Sequence, residues 1–213
     1  MGKGIAAWLL VAAAAAGTMS PRDVVQTAVT RVLTLAAESG DTERTTRSDQ
    51  TDRRRAEMRR LAAEIFDFEE MGRRALSRHW AGRSKAEQTE FVSLFTDLLE
   101  RTYVARIEQY AGEKITYPNE IIDGNYATVR SRVMTRRRAE TTLDYRLHLD
   151  GGKWRVFDIS VDGVSFVATY RSEFSRIIQQ SSYASLVERM RKKRIEIDAL
   201  ARRTERPEPS ARP

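Results

Sequence analysis

Apolar positions along this chain change their period twice, and the changes divide it into a helical stretch, a strand stretch and a second helical stretch. From residue 21 to residue 110 they recur at steps of three and four, as on amphipathic helices. Ser20-Pro21 reads as an N-cap followed by proline at the first helical position. Val24, Val25, Ala28, Val32, Leu35 and Ala36 then mark one face of a helix that stops near Ser39-Gly40. A polar segment over residues 42–55 leads into a second helix that buries Met58, Leu61, Ala62, Ile65 and Phe66. Phe66-Asp-Phe-Glu-Glu-Met-Gly72 continues into a short helix carrying Leu76 and ending at Trp80-Ala-Gly82. Ser84-Lys-Ala-Glu87 is a capping box and opens the longest helical pattern. That helix carries Phe91, Leu94, Phe95, Leu98, Leu99, Thr102, Tyr103, Ile107 and Tyr110, an arc broad enough to be covered on more than one side, and Gly112 ends it.

The period then falls to two. Residues 114–122 form a first strand, in which Pro118 implies an edge position or a bulge. Asp123-Gly-Asn125 is a turn, followed by a strand with Val129, Ser131 and Val133 on one face and Arg130 and Arg132 on the other. After the Arg136-Arg-Arg138 loop, Leu143, Tyr145, Leu147 and Leu149 alternate with Asp144, Arg146 and His148. Asp150-Gly-Gly-Lys153 is a hairpin turn signal. The next strand, with Trp154, Val156, Phe157, Ile159 and Val161, is apolar almost continuously, as a strand covered on both faces must be. A turn at Asp162-Gly163 leads into a helix whose apolar positions are Val164, Val167, Tyr170, Phe174, Ile177 and Ile178. A last helix from Tyr183 carries Leu186, Val187, Met190, Ile197 and Leu200, and prolines 207, 209 and 213 mark a disordered tail over residues 204–213.

This order predicts an α+β fold, a twisted antiparallel sheet of about four to five strands with helices packed on one face, in a single domain over residues 21–203. The apolar rows on sheet and helices are compatible with a closed core or with a pocket for an apolar ligand, because periodicity does not register a cavity.

Composition narrows the chemistry. The 213 residues contain no cysteine, which removes disulfides, zinc–cysteine sites and thiol catalysis. The net charge of +7 favours anionic partners, whether nucleic acid, lipid headgroups or acidic protein surfaces. Nucleic-acid binding would need Arg53-Arg-Arg55, Arg136-Arg-Arg138 and Arg189-Met-Arg-Lys-Lys-Arg194 on one surface with stacking aromatics among them; the aromatics lie in apolar rows instead, so no nucleic-acid partner is expected. Histidine occurs only at 79 and 148, and no nucleophile-elbow, zinc, phosphate-loop or dinucleotide motif is present. A dehydratase-like pair of Asp158 and His148 is conceivable, though their spacing does not single them out, and neither an enzyme nor a metal or cofactor is expected. The N-terminus carries one early charge at Lys3, an apolar run from Ile5 to Ala16, and small residues at Ala14, Ala16 and Gly17. This is the layout of a secretory signal peptide over residues 1–20, with an uncleaved membrane anchor as the alternative.

An ordered series of short motifs resembles the toluene-tolerance family of ABC-transporter auxiliary proteins. It runs through Phe66-Asp-Phe-Glu-Glu-Met-Gly72, Ala75-Leu-Ser-Arg-His-Trp80, Glu90-Phe-Val with Leu94-Phe95, and Leu99-Glu-Arg-Thr-Tyr103. It continues through Tyr110-Ala-Gly-Glu-Lys114, Asp144-Tyr-Arg146, Trp154-Arg-Val-Phe-Asp158, Gly163-Val-Ser-Phe-Val167 and Tyr170-Arg-Ser-Glu-Phe174. The resemblance covers residues 21–190; the polar segment 42–55 and the basic C-terminal extension depart from it.

What the resemblance implies is a fold similar to the nuclear-transport-factor-like and cystatin-like cones. It implies a monomeric periplasmic carrier whose cargo is a phospholipid, shuttled between an outer-membrane lipid-extracting complex and an inner-membrane ABC transporter with a lipid-binding ring protein. Acyl chains would lie between sheet and helices. The pocket residues expected on that basis are Phe95, Leu99, Tyr103 and Ile107 on the long helix, and Val129, Val133, Tyr145, Leu147, Trp154, Val156 and Ile159 on the strands. Val164, Val167, Tyr170 and Phe174 complete the set from the strand–turn–helix segment. A cone-fold enzyme acting on a small apolar substrate and an exported interaction module with a filled core remain the other readings.

Overall fold

The longest-range constraint in the fold is a strand with different neighbours on its two faces, and the chain order follows from covering it. The computed structural model describes residues 19–37, 47–107, 114–134 and 140–193, with the backbone alone at residues 36, 37, 47–52, 55 and 104–107. The signal-peptide run, residues 42–46 of the polar segment, Gly112, the Arg136-Arg-Arg138 loop, Ile197, Leu200 and the tail 204–213 lie outside these residues.

Helix α1 (Pro21–Ala37) starts as expected, with Ser20 Oγ accepting from Asp23 N at 3.1 Å, and it buries Val25 and Ala28. Helix α2 (Arg47–Ile65) buries Met58 and Leu61 and stops one residue earlier than the sequence pattern implies. Phe66 leaves the helix to form a parallel bridge with Val156, where Asp67 N donates to Val156 O at 2.9 Å. Arg155 Nη2 donates back to Phe66 O at 2.7 Å. Asp67 then caps helix α3 (Phe68–Leu76) by accepting from Glu70 N at 2.9 Å, and a 3-10 turn (Ser77–His79) follows. The expected unbroken run from 66 to 72 is therefore a helix–bridge–helix join.

The capping box forms as read: Ser84 N donates to Glu87 Oε2 at 2.8 Å and Glu87 N to Ser84 Oγ at 3.3 Å, opening helix α4 (Lys85–Ile107). Strands β1 (Lys114–Asp123), β2 (Tyr126–Met134), β3 (Glu140–Asp150), β4 (Lys153–Val161) and β5 (Val164–Ser165) make one antiparallel sheet in sequence order. Strand β1 is its edge, and its register shifts between Thr116 and Asn119, around Pro118, because proline cannot donate to the ladder. The β3–β4 turn places both Gly151 and Gly152 at positive φ, +53° and +78°, which only glycine adopts without strain. Val164, expected in a helix, belongs instead to β5 and pairs with Val161. Ser165 caps helix α5 (Phe166–Gln180) through Ala168 N, and Ser182 caps helix α6 (Tyr183–Arg191) through Ser185 N.

Two apolar clusters result. Val25 of α1 lies with Ala127, Val129, Tyr145, Leu147 and Val156 on one sheet face. The opposite face of β2 and β3 shows exposed Arg130, Arg132 and Arg146. Helices α3 to α6 form the second cluster, which includes Phe157 from β4. Successive residues of β4, Val156 and Phe157, thus enter different clusters, as the continuous apolar run of this strand requires.

Asp158 ties β4 to α5. It is 4% exposed and accepts from Ser165 Oγ at 2.6 Å and from Val167 N at 3.1 Å. Asp158→Ala leaves the buried Val167 amide without its acceptor and is expected to destabilise the fold by about 2–3 kcal/mol in urea unfolding. Asp158→Asn keeps a carbonyl acceptor and should lose less; equal losses would show that the two hydrogen bonds do not hold this junction.

Candidate functional site

The residues that could line an apolar site sit on elements whose alternation points them inward, and the fold sorts them into the two clusters. Phe95, Leu99, Val167, Tyr170 and Phe174 are buried in the helical cluster, with Tyr103 half-buried against it. Val129, Tyr145, Leu147 and Val156 are buried in the sheet cluster, with Trp154 and Ile159 half-buried beside them. Val133 is buried on the same face of β2, Val164 is half-buried in β5, and the side chain of Ile107 lies outside the described residues. The strand–turn–helix segment from Trp154 to Phe174 therefore supplies both clusters rather than one continuous wall.

The clusters differ in how tightly they close. The helical one is an aromatic lock. Phe95 meets Tyr170 edge-on at 5.2 Å and Phe174 at 5.6 Å, and Phe91 meets Phe174 at 5.6 Å, all four side chains without solvent exposure. At the far end of α4, Tyr103 stacks on Phe166 with centroids 4.6 Å apart. The sheet cluster is mainly aliphatic at its centre, and Tyr117, Leu143, Trp154 and Ile159 are only half-buried at its margin. It also contains hydroxyls: Ser131 and Tyr145 are buried on the same face, and burial pushes the Tyr145 phenol above its usual range.

Phe66 packs against both clusters, so the junction between them lies where α2 gives way to α3. Sequence reading assigned Phe66 to the core of a helix; its bridging role depends on the backbone leaving the helix at that residue, and the pair Phe66-Asp-Phe68 was the only local signal. Val25, Ala127, Leu143 and Phe157 are further members that the expected set omitted. Leu143 and Phe157 carried a strand signal, whereas Val25 meets the sheet only through the fold.

Polar groups surround the junction. His148 Nε2 lies 2.9 Å from Asp67 Oδ2, and the Arg74 guanidinium covers the Phe157 ring at 4.0 Å. Burial pushes the Glu70 carboxyl up, but hydrogen bonds from Arg73 and Arg74 outweigh it and hold the group below its ordinary range. Asp158 and His148 are not brought together as an acid–base pair, since the first binds Ser165 and Val167 and the second binds Asp67. Among the described residues no three carboxylate, histidine or cysteine side chains are grouped as a metal site, and no helix is long and apolar enough to cross a membrane. Arg191 at the end of α6 and Lys192 just after it pair with Glu90 and Glu188. What the arrangement offers is apolar side chains in two adjoining clusters, each with phenol hydroxyls among them.

Known proteins carry the same architecture. A phospholipid-binding protein from Ralstonia solanacearum, solved in complex with a phospholipid, superposes with a TM-score of 0.68 at 25% identity, over 82% of this chain and 97% of that one. The intermembrane phospholipid transport system binding protein MlaC of Haemophilus influenzae is 22% identical over 129 residues, which are 58% of this chain and 60% of that protein. The toluene tolerance protein ttg2D of Pseudomonas putida is 24% identical over 126 residues, 58% of this chain and 59% of that protein. The chain thus spans about three fifths of the length of these curated relatives. Residues 30–192 match the profile of the MlaC protein, and the chain belongs to the MlaC family.

Proposed function

We propose that this protein is a periplasmic carrier that binds a phospholipid by its acyl chains and shuttles it between membranes. The observation that carries the reading is the shared architecture with the Ralstonia protein, whose structure contains a phospholipid. The two adjoining apolar clusters are the surfaces against which acyl chains would lie, and the margin of half-buried Trp154, Ile159, Tyr117 and Leu143 marks the more accessible side. The donor and acceptor proposed are an outer-membrane lipid-extracting complex and an inner-membrane ABC transporter with a lipid-binding ring protein. The protein acts as a monomer, and no catalytic group takes part.

Physical chemistry makes such a carrier necessary. Each methylene kept from water is worth about 0.8 kcal/mol, so exposing an acyl chain of ~15 carbons costs on the order of 10 kcal/mol. Lipid leaving a bilayer unaided would therefore cross water very slowly, and a protein cavity replaces the bilayer as solvent. Direction follows from the relative affinities of donor, carrier and acceptor, unless ATP hydrolysis by the transporter biases them. The net positive charge assists approach to anionic headgroups or acidic partner surfaces.

Organic extraction of the gently purified protein, followed by mass spectrometry, should recover diacyl phospholipid at a near-stoichiometric amount; folded protein that repeatedly yields none sinks the carrier reading. Within the pocket, Val133→Glu puts a charge on the buried sheet face at the end of β2, outside the aromatic lock. It is expected to lower lipid loading at least tenfold on that desolvation cost while circular dichroism stays native. Unchanged loading in the folded variant would move the acyl chains away from this face.

A further inference from the structure

The sheet cluster contains a small polar island that its apolar packing does not explain. Ser131 has no solvent exposure and stands on the same face of β2 as Val129 and Val133. Its Oγ makes no hydrogen bond of full geometry among the described residues. The Tyr145 phenol, cross-strand from Val129, is its polar neighbour: burial raises the phenol's pKa and the contact with the Ser131 hydroxyl lowers it. The β1 register shift skips from the Thr116–Arg132 pair to the Asn119–Arg130 pair, which sets Tyr117 and Pro118 opposite Ser131. Tyr117 packs against the cluster that contains Tyr145, and its pKa is raised chiefly by burial and secondarily by the Tyr145 phenol.

Two buried hydroxyls that meet only each other leave one O–H without an acceptor, and natural folds keep such groups where a water or ligand completes them. The chemistry of the island selects the partner. Its donors are neutral, its surroundings are Val129, Leu147, Val156 and other apolar side chains, and the nearest cations on β2, Arg130 and Arg132, stand on the opposite, exposed face, paired with Asp144 and Glu140. A phosphate or free carboxylate brought here would be a desolvated charge without a counter-ion. A carbonyl oxygen would be a neutral acceptor matched to neutral donors.

We propose that Ser131 and Tyr145, with Tyr117 beside them, receive an ester carbonyl of a diacyl glycerolipid and thereby select ester-linked cargo over ether-linked or plain hydrocarbon cargo. The inference rests on the carrier function proposed above. It also accounts for a serine at the centre of a strand face whose other inward positions, Ala127, Val129 and Val133, are apolar. Headgroup identity plays no part in it, so one island serves lipids that differ in headgroup.

The test exchanges the full-length protein against excess vesicles containing equal amounts of a diester and a diether phosphatidylethanolamine with the same chain lengths. The protein is then re-isolated and its lipid quantified by mass spectrometry. The wild type should enrich the diester about five- to tenfold over the diether, the size of one or two buried hydrogen bonds. Ser131→Ala and Tyr145→Phe, which remove a hydroxyl each and nearly preserve volume, should bring the ratio towards one. A wild-type ratio equal to that of the vesicles, as when a water satisfies Ser131, overturns the ester-binding role, and so does full enrichment in both variants. Failure of the wild type to load either lipid overturns the carrier reading itself, which separates the two claims. The wild-type ratio decides the matter even if a variant does not fold.

Discussion

Strand β4 has to be covered on both faces, and the arrangement of the other elements follows from that requirement. Val156 enters the sheet cluster under α1, whereas Phe157, its neighbour, enters the cluster built by α3 to α6. A strand buried twice needs helices on two sides, and the chain supplies them by breaking a helical run at Phe66. There the backbone pairs with Val156, Asp67 caps the next helix, and the Phe66 ring touches both clusters. Asp158 secures the same strand to α5 by hydrogen bonds from Ser165, the cap of that helix, and Val167 in its first turn.

The two clusters that flank this strand are physically unlike. Phe91, Phe95, Tyr170 and Phe174 interlock edge to face with no exposed surface, so removing any of them leaves a cavity that rigid neighbours fill poorly. The sheet cluster is mainly aliphatic, is bounded by half-buried side chains, and has on its face the Ser131 hydroxyl, which its aliphatic neighbours leave unmatched. In a lipid carrier such a division has a use. On the carrier function proposed above, the interlocked region would hold the shape of the protein while the looser one yields more readily to cargo.

Much of this was legible in the sequence. The Ser20 and Ser84 caps, the β1 irregularity at Pro118, the glycine turn at 151–152 and the alternation of β3 all formed where local chemistry placed them. The continuous apolar run of β4 correctly announced a strand without a solvent face. Val164 was misplaced because a two-residue strand has too few positions to show a period, and its pairing with Val161 depends on the partner strand. The Asp67–His148 contact, 81 residues apart in the chain, left no local trace.

The sequence by itself determined the kinds of elements, their order and which side of each is apolar, because caps, turns and side-chain periodicity act over a few residues. Only the tertiary structure decided which apolar faces meet. Hydrophobic burial is non-directional and roughly proportional to area, so Phe95 or Val129 would be content in either cluster until chain connectivity and strand register assign one. The same register sets Tyr117 and Pro118 opposite Ser131 and Tyr145 opposite Val129, so residues of three strands meet on one apolar sheet face.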